Sequence, residues 1–308
     1  PSARVRPARQ RVGARAAAVR TGRRTRMALL GGKVVIITGG GGGIGRAEAL
    51  AFAAEGARLV VNDLGCARDG TGASPAAADA VVAEVRAAGG EAVAHHGSIA
   101  TVEGARGLVE AAVGAFGRVD VLVNNAGIVR DKTLLKLDES DWDAVVAVDL
   151  KGAFLCAQAA AKQMVAQGEG GRIVNTTGLA GLVGNFGQAG YAAANAGVYG
   201  LTRTMSIELQ KHRITVNAIA PIAKTRLTED LPMFQGVDSL GPEFVAPAAV
   251  FLGSELCGER TGHVLAVAGA RVYLYKVVES SGKFKEGNAA WTAHEIADHW
   301  DAIASGKG

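Results

Sequence analysis

The apolar run Val34–Thr38 leads directly into Gly39, Gly40, Gly41, Gly42, Gly43, Ile44 and Gly45, and an alanine-rich stretch with helix-forming character follows. Few local patterns restrict a fold as strongly. A β-branched apolar run suits a strand covered on both faces. Glycines placed immediately after it permit a tight turn and let backbone N–H groups come close to a phosphate. The helix N-terminus adds partial positive charge. A lone glycine pattern is weak evidence, but strand, glycine turn and helix in this order is the dinucleotide-binding arrangement. Thr38, Gly39, Gly43, Ile44 and Gly45 are therefore expected to bind a cofactor.

The alternation continues along the chain. Further strands are predicted at Leu59–Asn62, Ala92–His95, Val119–Asn124, Arg172–Thr176, Ile214–Ile219 and His263–Val267. Helices are predicted at Ala47–Glu55, Ala76–Ala88, Val102–Phe116, Trp142–Gln167 and Tyr191–Lys211. Strands that are apolar throughout, alternating with helices, predict an α/β fold: one doubly wound (Rossmann) domain with a seven-stranded parallel sheet. Right-handed crossovers put every C-terminal strand end on one edge, where ligands bind. The domain is expected over residues 27–272, with a tail at 273–308 that carries a helix at Ala293–Ile303.

Residues 1–26 hold nine arginines and no acid. Without them 24 basic and 29 acidic side chains remain, a net charge of −5, so the overall surplus of +4 belongs to this leader. It has no periodic apolar face and is expected to lie outside the fold, and no nucleic-acid partner is inferred. No run of 18 apolar residues occurs, so no membrane span is expected. Cys66, Cys156 and Cys257 form no CxxC pair, which suits thiols in a reducing, cytoplasmic setting. His294 and His299 are spaced i, i+5 and do not share a helix face, so no metal site is expected.

The second strand ends at Asn62-Asp63-Leu64-Gly65, with Asp63 18 residues past Gly45. That is close to the ~20 at which a ribose-binding acid follows the glycine turn. A carboxylate there accepts from the 2′-hydroxyl of NAD and repels the 2′-phosphate of NADP, so NAD is the expected cofactor. Arg46, in the first helical turn, is the nearby cation that would soften this preference, but it is expected to face solvent.

With TGxxxGxG at Thr38–Gly45 and Asn124-Asn125-Ala126-Gly127 after the fourth strand, the chain resembles the short-chain dehydrogenase/reductase family. Val61–Gly65, Gly184–Gln188, Ile219-Ala220-Pro221 and the C-terminal tail are similar to the (3R)-hydroxyacyl-CoA dehydrogenase unit of peroxisomal multifunctional enzymes and its bacterial relatives. The resemblance covers Met27 to Ile303. It implies hydride transfer between a nicotinamide and a carbonyl or alcohol carbon of a small-molecule substrate. It also implies cofactor contacts from Asn125, Ala126, Gly127, Asn195, Pro221 and Thr225. The two Ala-rich helices Trp142–Gln167 and Tyr191–Lys211 would pair copies into a homodimer or homotetramer.

At the chemical end the sequence departs from the family. The resemblance implies a Tyr that moves a proton, a Lys four residues later, a Ser about thirteen residues earlier and an Asn on the preceding long helix. Tyr191 fills the first place. The others hold Asn195, Gly178 and Asp149, and Gly97 stands where an adenine-contacting Asp is usual. An unperturbed phenol is ionised to about one part in a thousand at neutral pH, a deficit of about 4 kcal/mol. Without a cation to depress it, alcohol oxidation, which needs phenolate, should suffer more than ketone reduction, which needs phenol. Substitutes are available in principle. Asn195 offers a hydrogen bond without charge. Thr177 has a hydroxyl that strand alternation turns away. Asp149 is a general base if it faces the site, and Lys224 lies in the loop after the sixth strand.

Three functions fit this reading. One is an NAD(H)-dependent oxidoreductase for a hydroxyacyl thioester or bulky cyclic ketone. Another is a non-redox isomerase, dehydratase or cyclase using Tyr191. The last is a non-catalytic subunit that pairs with an active paralogue. The loop at Ile222–Phe244 carries no group diagnostic of the substrate.

Overall fold

A computed structural model describes residues 28–224, 240–287 and 289–305. The leader and Thr225 lie outside the described residues. Strand β1 (Val34–Thr38) is buried along its whole length, Val35 and Ile37 facing one core and Val34 and Ile36 the other. Helix α1 (Gly43–Ala54) follows, then β2 (Arg58–Asn62), α2 (Ala76–Ala87), β3 (Glu91–His95), α3 (Val102–Phe116) and β4 (Val121–Asn124). The second half continues with α4 (Glu139–Val145), a π-helical turn at Val146–Gly152, and α5 (Ala153–Gln167). Next come β5 (Gly171–Thr176), the single turn α6 (Ala180–Val183), α7 (Ala189–Glu208) and β6 (Ile214–Ile222). It closes with α8 (Ala246–Gly253), β7 (Val264–Ala268), β8 (Arg271–Tyr275), α9 (Ala293–Asp298) and α10 (Trp300–Ala304).

All seven predicted strands form, and β1 to β7 are parallel, in the order β3-β2-β1-β4-β5-β6-β7. The order reverses between β1 and β4, which opens the crevice where ligands bind in doubly wound sheets. Helices α1, α2 and α8 cover one face, while α3, α5 and α7 cover the other.

The expectation of seven strands is corrected to eight among the described residues. Strand β8 returns antiparallel along β7, with Ala268 opposite Arg271. The turn between them is only Gly269 and Ala270, and Gly269 takes the positive φ of 56° that such a hairpin turn requires. β8 crosses the domain boundary expected at residue 272.

Two helical expectations also change. Trp142–Gln167 is not one uniform helix: it begins earlier, at Glu139, and passes through the π-helical turn. By length and composition the stretch Glu139–Gln167 is apolar enough to cross a bilayer, yet half of its most apolar window is buried within the fold. The tail helix breaks at His299 into α9 and α10. A capping box between Thr292 and Glu295 starts α9, and the His299 ring meets Trp291 edge-on at 5.7 Å.

Candidate active site at the C-terminal edge of the sheet

The cofactor end is built by β1, α1, β2 and β4. Thr38 Oγ1 accepts the backbone N–H groups of Asn125 at 3.0 Å and Ala126 at 3.1 Å. Asn125 Nδ2 donates back to the carbonyls of Thr38 and Gly39, both at 3.1 Å. This reciprocal clamp locks the segment after β4 to the glycine turn. Gly39 has φ 63°, and a Cβ there would stand 2.7 Å from Ala126 Cα; one at Gly45 would overlap the Gly39 carbonyl oxygen. Neither position accepts another residue.

The N-cap of α1, Gly42, is extended, makes no side-chain cap, and has open space around its Cα, with no acid in the first helical turn. The uncapped N–H groups and the helix dipole favour an anion there. Asp63 sits beside this loop. Its Oδ2 accepts from Gly41 N–H at 2.8 Å and its Oδ1 from Gly65 N–H at 2.7 Å. Each carboxylate oxygen keeps a second lone pair, so ribose hydroxyls can still donate. These features fit a dinucleotide: a phosphate at Gly42–Gly45 and a ribose at Asp63. Arg46 is exposed and engages Glu84 of α2 through both its Nε and a terminal nitrogen. His95 occupies the space at Gly97, where a Cβ would lie 2.6 Å from the ring, and Asn62 Nδ2 bonds His95 Nδ1 at 3.0 Å. Pro221 lies in β6 opposite Val267.

The chemical end gathers Tyr191, Asn195 and Gly178, with Asp149 near enough to act on the tyrosine. Tyr191 lies in the first turn of α7. A Cβ at Gly178 would be 3.4 Å from Tyr191 Oη and 3.2 Å from Asn195 Oδ1, so Gly178 does occupy the place from which a serine would reach the phenol. Asn195 Nδ2 donates to the Tyr191 carbonyl at 2.8 Å, which folds this amide back along its own helix. The room it uses is the room Gly178 leaves. Thr177, just past β5, is buried and donates to the Asn195 carbonyl at 2.9 Å.

Asp149 lies in the π-helical turn and is only 8 % exposed. Its Oδ1 accepts from Ile128 N–H at 2.9 Å, and its Oδ2 faces Gly127, 3.3 Å from where a Cβ would be. Burial holds this carboxyl well above the usual carboxylate range, opposed only by the Ile128 N–H. Burial also raises the Tyr191 phenol. The Asp149 charge raises it further and Asp131 adds to this, while the Asn195 side chain pulls the other way. No cation among the described residues acts on Tyr191. Lys224, after β6, donates its backbone N–H to Leu240 at 2.7 Å and does not fill that role.

Asp131 was not singled out from the sequence, because Arg130-Asp131-Lys132 reads as an ordinary charged loop. Its Oδ2 accepts from Gln188 Nε2 at 2.8 Å, and Gln188 Oε1 accepts from Asn185 Nδ2 at 2.9 Å. A parallel bridge between Lys132 and Gln188 joins the two loops. Leu135 and Phe186 on these loops are 97 % and 88 % exposed.

A doubly wound sheet with an uncapped glycine turn, an acid ending β2 and a helix-borne tyrosine at the same edge defines the class of dinucleotide-binding oxidoreductases. The short chain dehydrogenase model matches residues 33–234. A short-chain type dehydrogenase/reductase of Mycobacterium tuberculosis is 47 % identical over 276 residues, 90 % of this chain and 95 % of that protein. The peroxisomal multifunctional enzyme type 2 of Drosophila melanogaster is 46 % identical over 80 % of this chain, which spans only 40 % of that longer protein. A short chain dehydrogenase crystal structure from Mycobacterium avium superposes with TM-score 0.79 at 44 % identity, covering 89 % of this chain and 95 % of that one. The chain belongs to the short-chain dehydrogenase/reductase family, with hydroxyacyl-CoA dehydrogenases among its relatives.

Proposed function

We propose that this protein is an NAD(H)-dependent oxidoreductase that reduces the carbonyl of a hydroxyacyl-type thioester or a bulky cyclic ketone, with a non-standard site. The observation that carries this reading is the Tyr191 hydroxyl standing at the C-terminal sheet edge against Gly178 and Asn195, in family geometry without the family's Ser and Lys. When held at the glycine turn, an NADH would supply the hydride that a carbonyl carbon takes up. Thr38, Asn125 and Asp63 hold the loop that binds it, and Tyr191 donates the proton. The high phenol pKa leaves the proton on Tyr191, which suits reduction over oxidation. The exposed apolar rim of Leu134, Leu135, Val183 and Phe186 supports a large, apolar substrate. The test is NADH oxidation with a β-ketoacyl thioester and with a cyclic ketone. Inertness toward both would remove this reading. That no cation among the described residues acts on Tyr191 favours a second one: acid–base chemistry without hydride transfer.

The choice of NAD over NADP rests on Asp63 and on the Arg46–Glu84 pair, which commits the Arg46 guanidinium to a carboxylate. Calorimetry should show tighter binding of NAD(H). Asp63→Ala should weaken NAD(H) more than NADP(H), and because Asp63 also holds Gly41 and Gly65, both affinities should fall. An unchanged ratio of the two affinities counts against the assignment.

For assembly, Phe154 and Val165 on α5 and Ile207 on α7 are exposed apolar side chains on the two helices expected to pair. We propose a homodimer or homotetramer built through these faces. Light scattering at micromolar concentration should give a multiple of the chain mass, and Ile207→Lys should lower it. A monomeric wild type would dismiss the idea.

A further inference from the structure

Gln188 closes a polar chain between the loops that leave the sheet after β4 and β5. It directly precedes α7, is 9 % exposed, and uses both ends of its amide. Nε2 donates to Asp131 Oδ2 at 2.8 Å, and Oε1 accepts from Asn185 Nδ2 at 2.9 Å. Its carbonyl accepts the Ala192 N–H at 2.7 Å, which ties the same residue to the first turn of the helix that carries Tyr191. The parallel bridge to Lys132 sets the bases of the two loops side by side. The loop after β4 is fixed from its other side as well. Arg130 Nε donates to the Asp69 carbonyl at 2.7 Å, Arg130 pairs with Asp141, and Lys132 pairs with Asp138 and Asp141. Each charge of Arg130-Asp131-Lys132 is thereby committed within the protein. Beyond these polar bases the loops expose apolar side chains: Leu134 and Leu135 just after Lys132, and Val183 and Phe186 just before Gln188. Apolar groups gathered in solvent on an ordered base mark a binding surface.

We propose that Gln188 is a positioning residue for the substrate: it braces the two loops so that Leu134, Leu135, Val183 and Phe186 form a ready-made apolar seat for the acyl chain of a thioester. The proposal rests on the redox reading above and names the part of the substrate that this mouth recognises. The occupant follows from continuity. Gln188 and Tyr191 are three residues apart at the start of one helix, so a molecule with its carbonyl at the phenol extends outward past the braced loops. Arg130 and Lys132 are already paired with carboxylates, so an uncharged chain suits this part of the mouth better than a phosphate. The brace contributes by preorganisation: loops fixed beforehand lose little freedom when the chain binds. Without it the apolar side chains remain, but the gap between them is no longer set, and long chains lose more than short ones.

The amide at 188 donates to a carboxylate on one side and accepts an amide N–H on the other. Gln188→Glu sets a second carboxylate against Asp131 and breaks the brace. Adding Asp131→Asn exchanges donor and acceptor and restores both hydrogen bonds. Calorimetry of the full-length protein with dodecanoyl-CoA and butanoyl-CoA reads the seat without turnover. The wild type should bind the longer chain at least ~10-fold more tightly, the effect of burying about two methylene groups. Gln188→Glu and Phe186→Ser should each remove most of that preference, and Gln188→Glu combined with Asp131→Asn should recover it. In NADH-dependent reduction of four- and twelve-carbon β-ketoacyl thioesters, the ratio of the two kcat/KM values should change in parallel. If thermal denaturation shows Gln188→Glu to be unfolded, Asp131→Ala, which removes the partner of Nε2, takes its place. Equal affinity of the wild type for both chains overturns the inference, as does a preference that survives loss of the brace. A lower light-scattering mass for Phe186→Ser with the preference intact would make these side chains an interface between copies and also overturns it. If the preference and its recovery are seen but the wild type reduces no carbonyl, the redox reading fails and the acyl seat stands.

Discussion

Asn195→Lys combined with Gly178→Ser is expected to raise NADH-dependent reduction of a β-ketoacyl thioester by ~10²-fold or more, while Gly178→Ser alone is expected to lower it. The asymmetry follows from the packing. A serine Cβ at residue 178 sits well for the phenol, at 3.4 Å from Tyr191 Oη, but at 3.2 Å from Asn195 Oδ1 it crowds the folded-back amide. Lysine at 195 would bring a cation to a phenol on which no cation among the described residues acts. The serine hydroxyl restores a donor to the carbonyl oxygen, a contact typically worth ~10²–10³ in rate. The ammonium lowers the phenol pKa, so alcohol oxidation should gain even more than reduction. Residues that act as a unit are not additive, and the double variant should exceed the product of the single effects. Steady-state kinetics on the four proteins provides the measurement. A double variant no faster than wild type would mean that the site has been remade for chemistry without hydride.

The second large effect concerns stability. Glu48 on α1 is fully buried, and neither carboxyl oxygen has a partner. Desolvation alone raises its pKa to about 8. Its unfolded value is near ~4.3, so folding takes up a proton at neutral pH. The sign is unfavourable to the fold: stability is greatest below the unfolded pKa and falls by about 1.4 kcal/mol per pH unit until the folded pKa is reached. Glu48→Leu, of similar size and without polar atoms, should therefore stabilise the protein by a few kcal/mol near neutral pH and flatten this slope. Thermal midpoints of both proteins between pH ~5 and ~8 read the effect. Parallel curves would show that Glu48 has found a partner or water.

The parallel strands were legible because β-branched runs such as Val34–Ile37 are buried on both faces and so are apolar throughout. β8 was not, although Val272-Tyr273-Leu274-Tyr275 follows a two-residue Gly269-Ala270 link, a hairpin signal in plain view. As an edge strand it leaves Val272 and Leu274 exposed, and it precedes a polar tail, so it read as part of that tail. At the site, the positions of Tyr191, Asn195 and Gly178 were legible only through the family resemblance, which implies a Lys four residues after the Tyr and a Ser about thirteen before it; in the structure the three lie together. The burial of Asp149 was not legible. It depends on the π-helical turn, which no local residue pattern announced, and on Gly127 and Ile128 from a different strand end. Asp131 and Glu48 were missed for the same reason: their importance lies in neighbours far away in the chain.

That π-helical turn acts as a phase shifter. Each added residue rotates an α-helix by about 100°, so one extra residue absorbed at Val146–Gly152 lets α4 and α5 hold their separate faces while being out of step with each other. Asp149 stands at the point where the phase slips. A one-residue deletion there could be taken up by an ordinary α-helix with both flanking helices still packed, yet it would swing the carboxyl off the strand end that holds it. In this fold, gain or loss of that single buried carboxyl is within reach of a length change that leaves the rest of the core in place.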